Sequence, residues 1–236
     1  MLQKLIVIFT FCLLSLSATA KSSFMPSKVV LSSMSVDDKL LLIDQMYYDL
    51  NGNHNKLPNI ECFSKGLLGF YNLKGKGKIK KDIITIIDYT MPSSAKRLWV
   101  IDLENNKVLY NTLVAHGVNS GTTYAKRFSN KSESNMSSLG FFTTGESYIG
   151  KHGLSMKLDG LEKGINNKAR MRDVVMHGAD YVSPAYIKSN KLLGRSQGCP
   201  ALPHKFSKKI IKTIKNRSCL FIYNPDKNYL RKTKIV

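Results

Sequence analysis

Apolar positions recur at two spacings along this chain, and the change from one to the other divides it. From residue 36 to 50 the run Val-Asp-Asp-Lys-Leu-Leu-Leu-Ile-Asp-Gln-Met-Tyr-Tyr-Asp-Leu sets apolar side chains three and four apart, which predicts a helix with one buried face. Ser35 stands ahead of it as an N-cap, and Asp37 and Asp38 fill the first turn, where carboxylates meet the positive end of the helix dipole. Asn51-Gly52-Asn53 ends it. A second helix is predicted from about Pro58, carrying Ile60, Phe63, Leu67, Leu68 and Phe70 up to the flexible, cationic Lys74-Gly75-Lys76-Gly77-Lys78.

Beyond that point the runs become short, β-branched and aromatic. Residues 83–88 (Ile-Ile-Thr-Ile-Ile-Asp), 98–103 (Leu-Trp-Val-Ile-Asp-Leu) and 108–114 (Val-Leu-Tyr-Asn-Thr-Leu-Val) predict strands. Glu104-Asn105-Asn106-Lys107 suits a hairpin turn, since asparagine tolerates positive φ. Residues 119–167 are rich in Gly, Ser and Asn, with apolar clusters at 139–142 and 148–149, and read as sheet edges joined by long loops. Val174-Val175-Met176 is a brief strand ending at His177-Gly178, a short helix opens at Ser207, and residues 219–223 (Cys-Leu-Phe-Ile-Tyr) form a last strand. The expectation is a mainly β domain with peripheral helices and an N-terminal helical segment.

The first twenty residues have their own pattern: Lys4, an apolar run over residues 5–16, then Ala18-Thr19-Ala20. That order is the grammar of a secretory signal peptide cleaved near Ala20, and the apolar run is short of the ~20 residues a membrane span requires. The division expected is a signal peptide at 1–20, a helical extension with a basic linker at 21–80, and a catalytic domain at 81–236. The mature chain is then exported, to a periplasm or an equivalent compartment, with no transmembrane segment.

Charge and cysteine content narrow the chemistry. A formal net charge of +20 favours polyanionic surroundings. The lysines are scattered without interleaved aromatic residues or a nucleic-acid motif, so nucleic acid is not an expected partner and an anionic envelope surface fits better. The basic run at 74–81 reads as a solvated linker, with wall binding as the sharper alternative. Three cysteines follow the signal: Cys62, Cys199 and Cys219. An odd number in an exported chain leaves at least one thiol free, and Cys62 and Cys219 lie in apolar runs suited to a core.

Cys199 is different, because it stands in the polar, glycine-flanked turn Gly194-Arg195-Ser196-Gln197-Gly198-Cys199-Pro200. A thiol nucleophile needs a base within hydrogen-bond reach, a group that fixes the base's tautomer, and donors for an oxyanion. Gly198 permits an unusual backbone angle and close approach of a substrate. Arg195 offers a positive charge to favour thiolate or bind a carboxylate, and Ser196 and Gln197 either position substrate or shape the loop. His177, at the end of an apolar strand, is the preferred base, with one ring N–H donated to a carbonyl such as that of Gly178. Asp180 is a rival orienter. His116 in Val-Ala-His-Gly has the same local texture and stays open as a base or cleft residue, as does Tyr181 as a cleft residue. His54, His152 and His204 read as surface residues. Neither His-x-His nor His-Glu-x-x-His occurs, so no metal and no cofactor is expected.

Met176-His177-Gly178, followed after a gap by Ser196-Gln197-Gly198-Cys199, resembles the bipartite signature of L,D-transpeptidase (YkuD-like) catalytic domains. The resemblance runs from about residue 83 to 203 and includes Val114-Ala115-His116-Gly117, Phe128-Ser129-Asn130, Leu158-Asp159-Gly160-Leu161 and Gly194-Arg195-Ser196. It implies a β-sandwich-like domain in which Cys199 attacks a peptide carbonyl, His177 is base and then acid, and Gly178 helps hold the histidine. The implied substrate is a peptidoglycan stem tetrapeptide, cut after meso-diaminopimelate with release of terminal D-alanine. An amine would then resolve the thioester, or water would, in an L,D-carboxypeptidase. Many family members carry histidine where this chain has Gln197. A non-catalytic envelope-binding protein on the same scaffold and an acyl-thioester enzyme on another envelope substrate are the alternatives.

Overall fold

The computed structural model describes residues 34–236; the expected signal peptide lies outside the described residues. Ser35 caps α1 (Val36–Tyr48), its hydroxyl accepting from the Asp38 N–H. Asn59 caps α2 (Ile60–Gly75) in the same way through Glu61 N–H. The helix α2 lies flat on the sheet because it carries glycine where it touches. A Cβ on Gly69 would sit 2.0 Å from Phe141 Cζ, and one on Gly66 would sit 3.3 Å from both Ile86 and Phe221. Cys62, Phe63, Leu67 and Phe70 on this helix are wholly buried in the same core as the strands.

Eight strands make one mixed sheet. They are β1 (Ile83–Asp88), β2 (Leu98–Asp102), β3 (Lys107–Thr112), β4 (Gly140–Gly150), β5 (Gly153–Gly160), β6 (Val175–Gly178), β7 (Ala201–Leu202) and β8 (Cys219–Tyr223). Their spatial order is β3-β2-β1-β8-β4-β5-β6-β7. The two outer edges meet: past β3 the Ala115 N–H donates to Ala201 O at 2.9 Å, and Gly117 bridges Ser196. The mainly β domain expected from the sequence is built as one continuous, nearly closed sheet.

Residues 139–160 depart from the expectation of sheet edges and long loops. They form the longest hairpin of the sheet, with β4 held between β8 and β5 in its middle. Thr143, Thr144, Glu146 and Ser147 dilute the apolar signal of β4, yet Thr144 is buried with its hydroxyl donating to Ile214 O at 2.6 Å, and the outer half of the hairpin projects toward solvent and tolerates Glu146 and Ser147. The helices α3 (Pro184–Asn190), α4 (His204–Ile214) and α5 (Lys227–Lys232) complete the chain. Ile210, Ile211 and Ile214 of α4 are buried in the core that also holds Met176 and Leu202. No helix of the described residues is long and apolar enough to cross a membrane.

Candidate active site

Parallel pairing of β6 with β7 brings the two sequence candidates to one ladder. His177 is the register partner of Ala201 and Gly178 that of Leu202. Two residues earlier on each strand, the Val175 N–H points at Cys199 Sγ, 3.4 Å away. Cys199, two residues ahead of β7, is thereby seated against the start of β6, the strand that ends in His177-Gly178. The thiol's other contact is Asp173 O at 3.6 Å. Apo catalytic pairs are commonly looser than the working geometry, and here the thiol bonds to backbone rather than to the imidazole.

The ring of His177 is buried, with Nδ1 2.9 Å from Gly178 O. With Nδ1–H donated there, Nε2 is left as the basic nitrogen. Gly178 is glycine for a packing reason: a Cβ would lie 2.6 Å from His204 Nδ1 and 2.7 Å from Ser207 Oγ, so α4 could not approach β6 as it does. Burial lowers the His177 pKa, helped by the nearby charges of His152, His204 and Lys151. Burial also raises that of the Cys199 thiol, against the pull of the Val175 N–H and the Arg172 guanidinium.

The turn before Cys199 is built by Ser196. Its hydroxyl donates to Cys199 O at 2.7 Å and accepts from the Gly198 N–H at 3.0 Å, while its backbone bonds to His116 O and Val118 N. Gly198 has φ +120°, and a Cβ there would meet Met136 O at 2.8 Å, so the turn requires glycine. Gln197 is exposed on it. Arg195 points away, its Nη1 3.5 Å from Gly121 O and its charge bearing on His116. The cation beside the thiol is instead Arg172, which no motif of the sequence marks. It donates to Ser129 O, Ser138 Oγ, Ser134 Oγ and Met136 O at 2.7–3.2 Å. It thereby ties the 129–138 loop to the floor of the Gly198 turn.

His116 is brought beneath the Cys199 turn but into a closed setting. Arg97 Nη2 lies 2.7 Å from its Nδ1 and Gly121 O lies 3.1 Å from its Nε2, and the ring has no exposure. Burial and then Arg97 lower its pKa to about 4. Tyr181 is half-buried near Cys199, with its pKa pushed up to about 12 by burial and then by the cysteine. Asp180 pairs with His204 Nε2 at 3.2 Å, not with His177. A cleft of about 660 Å³ opens beside Gly178, between the β4–β5 tip and α4, with Lys151, His152, Tyr181, His204 and Lys208 in its wall. Cys199 does not line it. Cys62 and Cys219 are buried free thiols in the core. Among the described residues, no group of three or more His, Cys, Asp or Glu side chains is placed to hold a metal ion.

A family model described as the L,D-transpeptidase catalytic domain matches residues 54–223. The chain belongs to that family. Its match begins ahead of α2, so the helix that packs on β1 and β8 falls within the family region along with the Cys199 turn. The fold is also similar to that of an L,D-transpeptidase from Mycobacterium smegmatis, at 13% identity and TM-score 0.37, over 61% of this chain and 59% of that one. A second likeness is to the helical cell shape determining protein Pgp2 from Campylobacter jejuni, at 11% identity and TM-score 0.40, over 68% and 55%. A third is to an L,D-transpeptidase from Xylanimonas cellulosilytica, at 12% identity and TM-score 0.35, over 79% and 93%. The chain spans somewhat over half the length of the first two of these structures. No curated protein matches it. Within this L,D-transpeptidase domain, sequence reading missed two neighbours of the site, Arg172 and His152. A half-buried arginine in a turn-rich loop has no periodic signature, and His152 stands in a polar hairpin tip that looks like any other surface.

Proposed function

We propose that this domain is a cysteine L,D-transpeptidase acting on peptidoglycan stem peptides, with Cys199 as nucleophile and His177 as general base and acid. The observation that supports the reading is the seat of Cys199 against β6, its thiol 3.4 Å from the Val175 N–H on the strand that carries a buried His177 with one ring nitrogen free, in a matched L,D-transpeptidase domain. Burial disfavours charge on both the thiol and the imidazole, so attack and proton transfer run together. Cys199 Sγ bonds to the carbonyl carbon of the diaminopimelate residue as its proton passes to His177 Nε2. The Gly198 N–H is held by Ser196 Oγ, which leaves the Cys199 N–H as the oxyanion donor of this turn. Collapse breaks the C–N bond, His177 returns the proton to the departing D-alanine amine, and a thioester remains. An acceptor amine loses its proton to His177 as it takes the acyl group, and the thiol is restored. Water in the amine's place gives an L,D-carboxypeptidase.

Intact-protein mass after exposure to a carbapenem tests the nucleophile: a one-equivalent acyl adduct is expected, absent in Cys199→Ala. Release of D-alanine from tetrapeptide muropeptides tests the reaction, and equal release by Cys199→Ala would sink it. Export is tested by the N-terminus of the protein recovered from the envelope, expected near Lys21. A second reading, an envelope-binding protein without turnover, has one observation in its favour. Lys205, Lys208, Lys209 and Lys212 are exposed on α4, and that helix contributes no acidic side chain. It predicts salt-sensitive peptidoglycan binding that survives Cys199→Ala, with no adduct and no D-alanine.

A further inference from the structure

The tip of the β4–β5 hairpin folds back over the candidate base. Gly150 pairs with Gly153, and the two residues between them are Lys151 and His152. Further along β5, Ser155 is the register partner of His177. The His152 ring lies on the His177 ring, with centroids 4.3 Å apart and planes 19° from parallel. His177 is buried whereas His152 is exposed. A histidine at an exposed hairpin tip has many rotamers to choose from, and this one is in contact with a buried imidazole whose other ring nitrogen is held by Gly178 O.

We propose that His152 is a positioning residue for His177: the stacked ring holds the imidazole against Gly178 O and disfavours a charge on it. The part of this that concerns turnover rests on the reaction proposed above. Two imidazoles stacked at this distance accommodate one proton between them far more readily than two, because the second charge would lie directly over the first. Other groups facing His177 act in the same direction. Lys151 comes from the same hairpin tip, and His204 comes from α4 with its own Nε2 turned to Asp180. The uncharged Ser155 faces it from β5, and the Cys199 turn leads into the strand on its other side. Gly178 O is the one neighbour that favours a proton on the ring. Stacking also fixes the ring plane, so that Nε2 keeps one direction while Nδ1–H stays on the carbonyl.

The test separates ring contact from turnover. In a Cys199→Ser background the His177 ring resonances are followed by NMR through a pH titration, with and without His152→Ala and His152→Phe. Both substitutions remove the second imidazole, and each is expected to raise the His177 midpoint by about 0.5 in pH. Only the phenylalanine preserves the ring-current displacement of the His177 signals. An unmoved midpoint in both variants, with the remaining amide spectrum unchanged, overturns the proposal. In the active chain, kcat/KM for D-alanine release is expected to fall about tenfold in His152→Ala and to recover most of that loss in His152→Phe. Its acid limb should move up with the NMR midpoint. Equal losses in the two variants overturn the positioning role. If the parent chain releases no D-alanine, the proposed reaction fails, and the titration still decides the stacked pair.

Discussion

Val114-Ala115-His116-Gly117 and Val175-Met176-His177-Gly178 share a local texture, and their imidazoles sit in unlike environments. Each histidine follows an apolar run, precedes a glycine, and is buried. At His116 both nitrogens are engaged, one by a buried guanidinium and the other by a backbone carbonyl. At His177 one nitrogen is engaged by Gly178 O and the other is free. The difference teaches that burial does not make a histidine structural, nor does a strand end make it catalytic. Occupancy of the second nitrogen decides which proton chemistry the ring can offer.

The largest effect expected from this contrast is on turnover. His177→Ala should lower kcat/KM for D-alanine release by about 10²–10⁴-fold while leaving the urea midpoint nearly unchanged, as steady-state rates and denaturation on the same preparation would show. His116→Ala should do the reverse. It strips Arg97 of a buried acceptor and leaves Gly121 O without its ring partner, at a cost of about 3 kcal/mol in urea unfolding. A folded His116→Ala protein whose chemistry fails more completely than that of His177→Ala would break the comparison.

The acid side sharpens it. His116 titrates at about 4 in the folded chain against the ordinary 6.5, so between those values the unfolded chain takes up the proton and the folded chain does not. Stability attached to this ring is therefore complete above pH ~6.5 and is lost as pH falls toward 4, up to about 3 kcal/mol at 1.36 kcal/mol per pH step. Urea unfolding at pH 7, 5.5 and 4 should show that slope, and His116→Asn should flatten it. Arg172→Met carries the smallest of these effects. About 2 kcal/mol is expected from the carbonyls and hydroxyls of the 129–138 loop that lose their donor, together with slower alkylation of Cys199 by iodoacetamide once the nearby cation is gone. Unchanged alkylation would remove Arg172 from the electrostatics of the thiol and leave it a brace for the loop.

Local pattern alone fixed a good part of this molecule. Ser35, with its acidic first turn, marked the start of α1 to the residue, and the β-branched runs marked β1, β2, β3, β6 and β8, because a cap and a side-chain period are read within a few positions. The same pattern singled out Cys199, since a cysteine between glycine and proline in a polar turn is poor core material. Tertiary structure decided the rest. The closing of the sheet through Ala115 and Ala201, the central place of the polar-looking β4, and the pairing of Cys199 with β6 all join residues far apart in the chain. It engaged both nitrogens of His116 through Arg97 and Gly121 while leaving one of His177 free, and brought Arg172 rather than Arg195 near the thiol. The physical reason is one of range. Hydrophobic period and capping are short-range properties of the chain, whereas the state of a titratable group is set by whichever donors, charges and rings the fold packs against it.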